Sequence, residues 1–331
     1  MLNRKEKYMQ QILLSSILSI VLVSFHLTSD ITVQPIQTVT ISFAGDCTLG
    51  SYKGSNNKFN SYWNQEGPKY YLQNVQDIFA NDDITFVNLE GPLTDHPQEL
   101  VKTFSMRGEP EYTNILTAGS VEIVNLSNNH IYDCGQIGFT DTINNLQAAG
   151  IKYAGEGYSA WQTVNDIHVC FLGYQGWQDT NALSTQIADD INIARAAGAD
   201  IICVEFHWSE ERTYYPNDTQ TALAHFTIDS GADIVVGAHP HVLQGVERYH
   251  DKIIAYSLGN FCFGANNNPA DKDTMILQVT ADKVGHLSMD IIPCTISSID
   301  QYNDFCPTIQ SGTERGQAIL NRIKQYSKGW E

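Results

Sequence analysis

Basic residues are scarce in this chain: 19 Lys and Arg stand against 37 Asp and Glu in 331 residues, a formal charge of −18. Affinity for a phosphate backbone needs clustered Lys and Arg, so nucleic acid is excluded as a partner. Attraction for a polyanionic substrate must then be local, supplied by metal ions and by single cations such as Lys102, Arg107 and Arg212. No long Gly, Ser or Pro linker interrupts the chain, which favours one large domain over two ordinary ones. There is no A-x-A pattern after the apolar run at 12–27 and no Cys close behind it, so a strong cleavage site and a lipoprotein anchor both lack support. Seven cysteines leave at least one unpaired within the chain. Cys170 and Cys203 lie in apolar runs and read as inert core, while Cys294 and Cys306 are the pair expected to form any disulfide.

What the N-terminus does have is Arg4, Lys5 and Lys7 before that apolar run. This is the pattern of an export signal or a short membrane anchor, with the rest of the chain outside. Cleaved and anchored forms both fit. The expected organisation is an export or anchor segment at 1–30, a linker at 31–37, the main domain at 38–300, and a tail at 301–331 carrying a short helix.

Strand-like runs recur at 38–43, 84–88, 121–126, 164–172, 201–206 and 233–236, with helical periodicity at 68–80, 135–149 and 217–230. Alternating strands and helices predict βαβ units, an α/β fold with a mainly parallel sheet. After Gly245 the runs at 253–258, 275–279 and 286–292 have little helix between them and predict a second, largely antiparallel part. The Asn-rich loop at 264–272 reads as exposed and mobile, and 316–326 as a final helix.

Five of the six strand-like runs end in metal-binding residues: Asp46, Glu90, Asn129 with His130, His207, and His239 with His241. Only the run at 164–172 ends without an obvious ligand. In an open α/β sheet the C-terminal strand ends line one crevice, so these residues are expected to converge although up to 195 positions separate them. Taken singly, Gly45-Asp46 fits a capped turn better than a ligand, and Glu90 fits a cap about as well. His239-Pro240-His241, read as extended, turns both imidazoles to one side. Imidazole, carboxylate and amide donors without thiolate suit one or two Zn, Mn or Fe ions and argue against an iron–sulfur site. Paired ions polarise a substrate oxygen and activate water, and a nearby His can protonate a leaving group.

The motifs that carry these residues resemble those of the CapA family of poly-γ-glutamate capsule biosynthesis proteins, within the calcineurin-like metallophosphatase superfamily. They are Phe43-Ala44-Gly45-Asp46, Asn88-Leu89-Glu90-Gly91-Pro92-Leu93-Thr94, Phe104-Ser105-Met106-Arg107, Ser127-Asn128-Asn129-His130 with Asp133 and Gly135, and His207-Trp208. Two longer stretches, 231–244 and 256–261, complete the set, which spans about 38–264. The resemblance implies a four-layer αββα sandwich. It implies one ion on Asp46, Glu90 and His241, another on Glu90, Asn129, His207 and His239, and His130 as acid, with Asp133 and Arg107 beside it. The wider superfamily has a His two residues after the first Asp, where this chain has Thr48, so one ion is expected to be held more weakly.

The implied role is exported and membrane-associated, in making, tethering or releasing an anionic capsule polymer or its precursor. Three readings follow: a metal-dependent hydrolase or transferase acting on an amide or ester bond of an extracellular polymer; a phosphoesterase, if Arg107 and Arg212 clamp phosphate at the metals; and a non-catalytic accessory or scaffold of a membrane synthesis complex.

Overall fold

The computed structural model describes residues 36–56, 58–97 and 102–328. The apolar run at 12–27 therefore lies outside the described residues. In chain order the strands are β1 (Thr38–Thr48), β2 (Ser51–Tyr52), β3 (Ile84–Leu89), β4 (Met106–Arg107), β5 (Ile123–Asn125), β6 (Lys152–Ala154), β7 (Ala160–Val164) and β8 (Ile167–Gly176). They continue as β9 (Ile201–Trp208), β10 (Ile234–Ala238), β11 (Val246–Tyr249), β12 (Lys252–Ala255), β13 (Asn260–Phe263), β14 (Asp273–Asp282), β15 (Leu287–Thr295) and β16 (Thr308–Ile309). The helices are α1 (Phe59–Glu66), α2 (Gln76–Asn81), α3 (Thr113–Ala118), α4 (Gly135–Ala148), α5 (Asn181–Ala196), α6 (Asp218–Asp229) and α7 (Glu314–Tyr326). None of these helices is long and apolar enough to cross a membrane.

Side-chain alternation along the strands sets the layers. Val39, Ile41 and Phe43 of β1 enter a core between two sheets, whereas Ala44 and Cys47 enter a second core under α1 to α4. The change of face coincides with a register shift between Ala44 and Asp46 against β3. In β9, Ile201 and Cys203 enter the inter-sheet core, while Ile202, Val204, Phe206 and Trp208 pack with Ile187 and Ile191 of α5 and Leu223 of α6. Three apolar layers therefore separate four structural ones, the expected αββα sandwich. Phe43 and Phe86 meet edge to face in the middle layer at 6.1 Å. Each side chain so buried contributes about 1.5–3 kcal/mol.

The first sheet runs β16-β15-β14-β1-β3-β5-β6, with β13 also on β1; the second runs β11-β12-β10-β9-β8-β7. The strands after Gly245 are largely antiparallel as expected, and they extend the two sheets: β14 pairs antiparallel with β1 and β15 in the first, and β12, antiparallel to β11, joins the second parallel to β10. The run at 164–172 straddles a hairpin: β7 ends at Val164, Asn165 and Asp166 both take positive φ (49° and 59°), and β8 begins at Ile167. The helical run at 68–80 is broken into a 3₁₀ turn at Pro68–Tyr70 and the short α2. α6 starts on a reciprocal cap between Asn217 and Gln220. α5, 16 residues long, was not read from the sequence, although Thr180 caps it and Ile187, Ile191 and Ala194 form its buried stripe.

At the C-terminus, β16 pairs with β15, and Ile319 and Ile323 of α7 enter the inter-sheet core. Cys294 and Cys306 do not form a disulfide. Each is a buried free thiol, Cys294 Sγ reaching the Ile292 carbonyl at 3.5 Å and Cys306 Sγ the Tyr70 carbonyl at 3.2 Å. The loop at 264–272 is only partly exposed, because the Asn267 carbonyl accepts from Asn303 N at 2.6 Å and Pro269 is buried.

Candidate metal centre

β1, β3 and β5 of the first sheet and β9 and β10 of the second end on one edge, and the expected ligands meet there. Asp46 reaches this edge because Gly45 allows close approach of another segment: a Cβ on Gly45 would lie 1.8 Å from the Gly259 carbonyl oxygen, which accepts from Asp46 N at 3.0 Å. His207 and Glu205 lie on the inter-sheet face of β9, opposite Ala238 and Val236 of β10. Thus the alternation that builds the middle core also delivers a carboxyl and an imidazole to it.

Glu90 is the hub. Its Oε1 lies 3.6 Å from His207 Nε2 and 3.8 Å from His241 Nε2. Asn129 Oδ1 is 2.9 Å from the same His207 nitrogen. Asp46 Oδ2 is 3.0 Å from His241 Nδ1 and accepts from His239 N at 3.3 Å. The His207 and His239 rings are 4.7 Å apart, and His239 and His241 5.5 Å. The six expected ligands therefore form one contiguous group. Within it, Glu90, His239 and His241 present ligand atoms within 4.8 Å of one another.

His239-Pro240-His241 is not extended. Both histidines take positive φ, 91° and 56°, so the rings converge through a turn and not through strand alternation. Such backbone is costly for residues with a Cβ and persists where the surroundings impose it. The Pro240 carbonyl accepts from Arg212 N at 2.8 Å, and Arg212 also has positive φ, 63°.

Asp46, Glu90 and Glu205 are almost wholly buried. Burial raises the Glu90 carboxyl, with Asp46 adding to the effect and His241 opposing it. Burial also raises Glu205 well above the usual range, again with a contribution from Asp46, while Asn125 Nδ2 donates to it at 3.3 Å. Burial pushes His207 well down and takes His239 to about 4, so both imidazoles are neutral. For His241 burial acts downward too, but the Glu90 and Asp46 carboxylates outweigh it and lift it to about 10. Glu90 Oε1 and His239 Nδ1 are buried with no hydrogen-bond partner. Orphaned polar atoms of this kind are expensive in a core. A cation held by Glu90, His239 and His241 would give the free Glu90 oxygen a partner, so the donor set fits a divalent ion of the Zn, Mn or Fe type.

Beside the cluster, His130 Nδ1 lies 2.7 Å from Asp133 Oδ2, which also accepts from Met106 N at 2.5 Å. His130, Glu90 and His241 line a cleft of about 160 Å³ that continues past Phe104, Phe263 and Arg212. Of the three cations expected to meet substrate, only Arg212 lines this cleft. Lys102 Nζ is engaged by Asp133 Oδ1 at 2.5 Å and by the Asn129 carbonyl at 2.8 Å. Arg107 is turned away to Glu109, at 2.7 and 3.3 Å, and to the Thr94 carbonyl at 2.8 Å.

The sequence reading missed three supporting residues. Asn88 Nδ2 donates to Asp46 Oδ1 at 2.8 Å and lies 3.3 Å from His207 Nδ1. Asn260 Oδ1 lies 2.9 Å from His241 Nδ1. Trp177 packs on His207 and His239. Asn88 and Asn260 stand in the quoted motifs, so a signal existed for them; for Trp177 there was none.

A family model described as bacterial capsule synthesis protein PGA_cap matches residues 40–265. The chain is 28% identical over 319 residues to the capsule biosynthesis protein CapA of Bacillus anthracis, covering 88% of this chain and 75% of that one. It is 29% identical over 279 residues to the PGA biosynthesis protein CapA of Bacillus subtilis (strain 168), covering 78% and 72%. Among solved structures, a phosphatase of Mycoplasma pneumoniae shares the fold with a TM-score of 0.52 at 13% identity, over 87% of this chain and 100% of that one. With the match spanning most of the chain and the motif residues gathered at one edge, this protein belongs to the bacterial capsule synthesis family PGA_cap.

Proposed function

We propose that this protein is an exported, metal-dependent hydrolase or transferase that acts on an amide or ester bond of an extracellular anionic polymer, of which poly-γ-glutamate is the leading example. The observation that carries the reading is the pair of orphaned buried ligand atoms, Glu90 Oε1 and His239 Nδ1, beside a cleft that His130 also lines. The family membership supports capsule synthesis as the setting, and the substrate and the export are part of this proposal.

Asp46, Glu90, Asn129, His207, His239 and His241 would hold the metal, whose chemistry is polarisation of a carbonyl or phosphoryl oxygen. The residues of the chain supply the rest. His130, oriented through Nδ1 by Asp133, keeps Nε2 for proton transfer to a leaving group. Arg212, held beside the histidine turn through its backbone, is the cleft's cation for a substrate carboxylate. Phe104 and Phe263 offer apolar surface to the methylenes of a polymer backbone. A phosphate clamp built from both Arg107 and Arg212 lacks support, since Arg107 is already bonded to Glu109.

The test is elemental analysis of the purified chain followed by a screen of γ-glutamyl amides and phosphoesters. Bound metal with amide or ester turnover supports the reading. Turnover of phosphoesters alone would replace it with a phosphoesterase. Metal content without turnover of either class would favour an accessory role in a membrane synthesis complex.

A further inference from the structure

The ligand His239 has no hydrogen bond to either ring nitrogen among the described residues, and its Nδ1 is buried without a partner. Metal-binding imidazoles are normally oriented by a hydrogen bond on the second nitrogen. His241 has such a partner in Asn260 Oδ1, and the His207 ring is held at both nitrogens, Nδ1 facing the Asn88 amide nitrogen and Nε2 the Asn129 oxygen. What orients His239 is packing.

Trp177 supplies it. It follows β8, the strand next to β9, and its indole stands nearly perpendicular to two imidazoles, 4.8 Å and 87° from His239 and 5.6 Å and 84° from His207. Edge-to-face contact is a favoured aromatic geometry and restricts the tilt of both rings. The indole is itself anchored: Nε1 donates to Gln175 Oε1 at 3.0 Å, and Gln175 Nε2 donates to Glu156 Oε1 at 3.1 Å. That same Glu156 oxygen accepts from Ser127 Oγ at 2.9 Å. Ser127 opens the loop that carries Asn129 and His130, so the chain of bonds ties the indole to a second ligand-bearing segment. Glu156 takes positive φ, 52°, a conformation unusual for a residue with a Cβ. Yet Trp177 is 41% exposed, which is poor use of a large apolar side chain if stability alone were served.

We infer that Trp177 is a positioning residue of the metal centre, holding His239 in the orientation that offers its ring nitrogen to an ion shared with Glu90. The inference rests on the metal reading proposed above. It is tested by calorimetric titration of the full chain with Zn²⁺ or Mn²⁺ alone, alongside the thermal midpoint without metal. Trp177→Leu should weaken binding about tenfold, the usual cost of losing an outer partner of a ligand, with the midpoint unchanged, and Trp177→Phe, which keeps a ring against His239 but loses the bond to Gln175, should fall between Trp177→Leu and wild type. Equal affinity in Trp177→Leu and wild type overturns the positioning role while leaving the metal reading intact. A matching drop in the midpoint without metal overturns it as well, because the role would then be structural. A wild-type chain that takes up neither ion overturns both readings together. Should Trp177→Leu fail to fold, Gln175→Leu carries the test, since it keeps the indole and removes its anchor; unchanged affinity there would sink the inference.

Discussion

The Thr48 hydroxyl donates to Glu90 Oε2 at 2.9 Å and leaves Glu90 Oε1 as the oxygen without a partner. A carboxylate that serves two ions uses one oxygen for each, and here one oxygen is already engaged by a neutral neighbour. Thr48 also stands where a further imidazole ligand would be expected. The chain should therefore bind a first-row divalent ion tightly at one position and weakly at the other, as calorimetric titration will report. Thr48→His should narrow the gap. Two equally tight positions in the wild type would refute the asymmetry.

His130 and His239 should fail differently. His130 is bonded to Asp133 and borders the cleft, so His130→Ala should keep metal content and fold but lower turnover by about 10²–10⁴-fold. His239→Ala should lose metal affinity and with it the ligand-induced rise in thermal midpoint, worth about 2.7 kcal/mol for the wild type at 100 times Kd. Capsule formation in cells carrying His130→Ala at normal protein level provides the second readout. Normal capsule there would count against catalysis and for an accessory role.

His241 links metal to pH. Its pKa is lifted to about 10 by Glu90 and Asp46 against the downward effect of burial, so at neutral pH it carries a proton that an incoming ion must displace. Binding should release close to one proton per ion, and affinity should fall about tenfold per pH unit as pH is lowered from 8 to 6. Titrations at one pH in buffers of different ionisation heat measure the release directly. Heats that do not depend on the buffer would contradict it.

Asp82 closes α2 just before β3, with Oδ1 buried and unpartnered and Oδ2 accepting from Thr85 Oγ1 at 2.8 Å. Burial raises its carboxyl from 3.8 to about 7. The folded state thus keeps a proton that the unfolded chain gives up, and this group costs stability increasingly as pH rises from about 4 to 7. Asp82→Asn removes the titration. Its stability relative to wild type, from denaturant unfolding, should improve steadily between pH 4 and pH 8, and a difference independent of pH would show that Asp82 titrates normally.

Much of the centre was legible because local patterns place it. Alternation in 38–43 and the apolar run at 201–206 mark strands, and ligands just past such runs fall at a sheet edge by the geometry of parallel sheets. Asp46, Glu90, Asn129, His207, His239 and His241 were all found this way, and two sheets with helices outside them followed from the family motifs. Tertiary structure decided the rest. Whether Lys102 and Arg107 meet substrate or a neighbouring carboxylate depends on Asp133 and Glu109 being within 3 Å, and composition cannot show that. His239-Pro240-His241 looked extended because its spacing was known and its φ angles were not. The hairpin inside 164–172 escaped because Asn165 and Asp166 adopt positive φ within an otherwise apolar run. Trp177 was invisible for a similar reason: an indole bonded to its own near neighbour acquires its meaning only when β8 and β9 lie side by side and bring two imidazoles against it. Sequence specifies the donor types and the strand ends that carry them, because those are local. Pairing across strands and between sheets determines which donors are free, because a hydrogen bond or ion pair satisfied at short range removes a group from chemistry that its identity alone would allow.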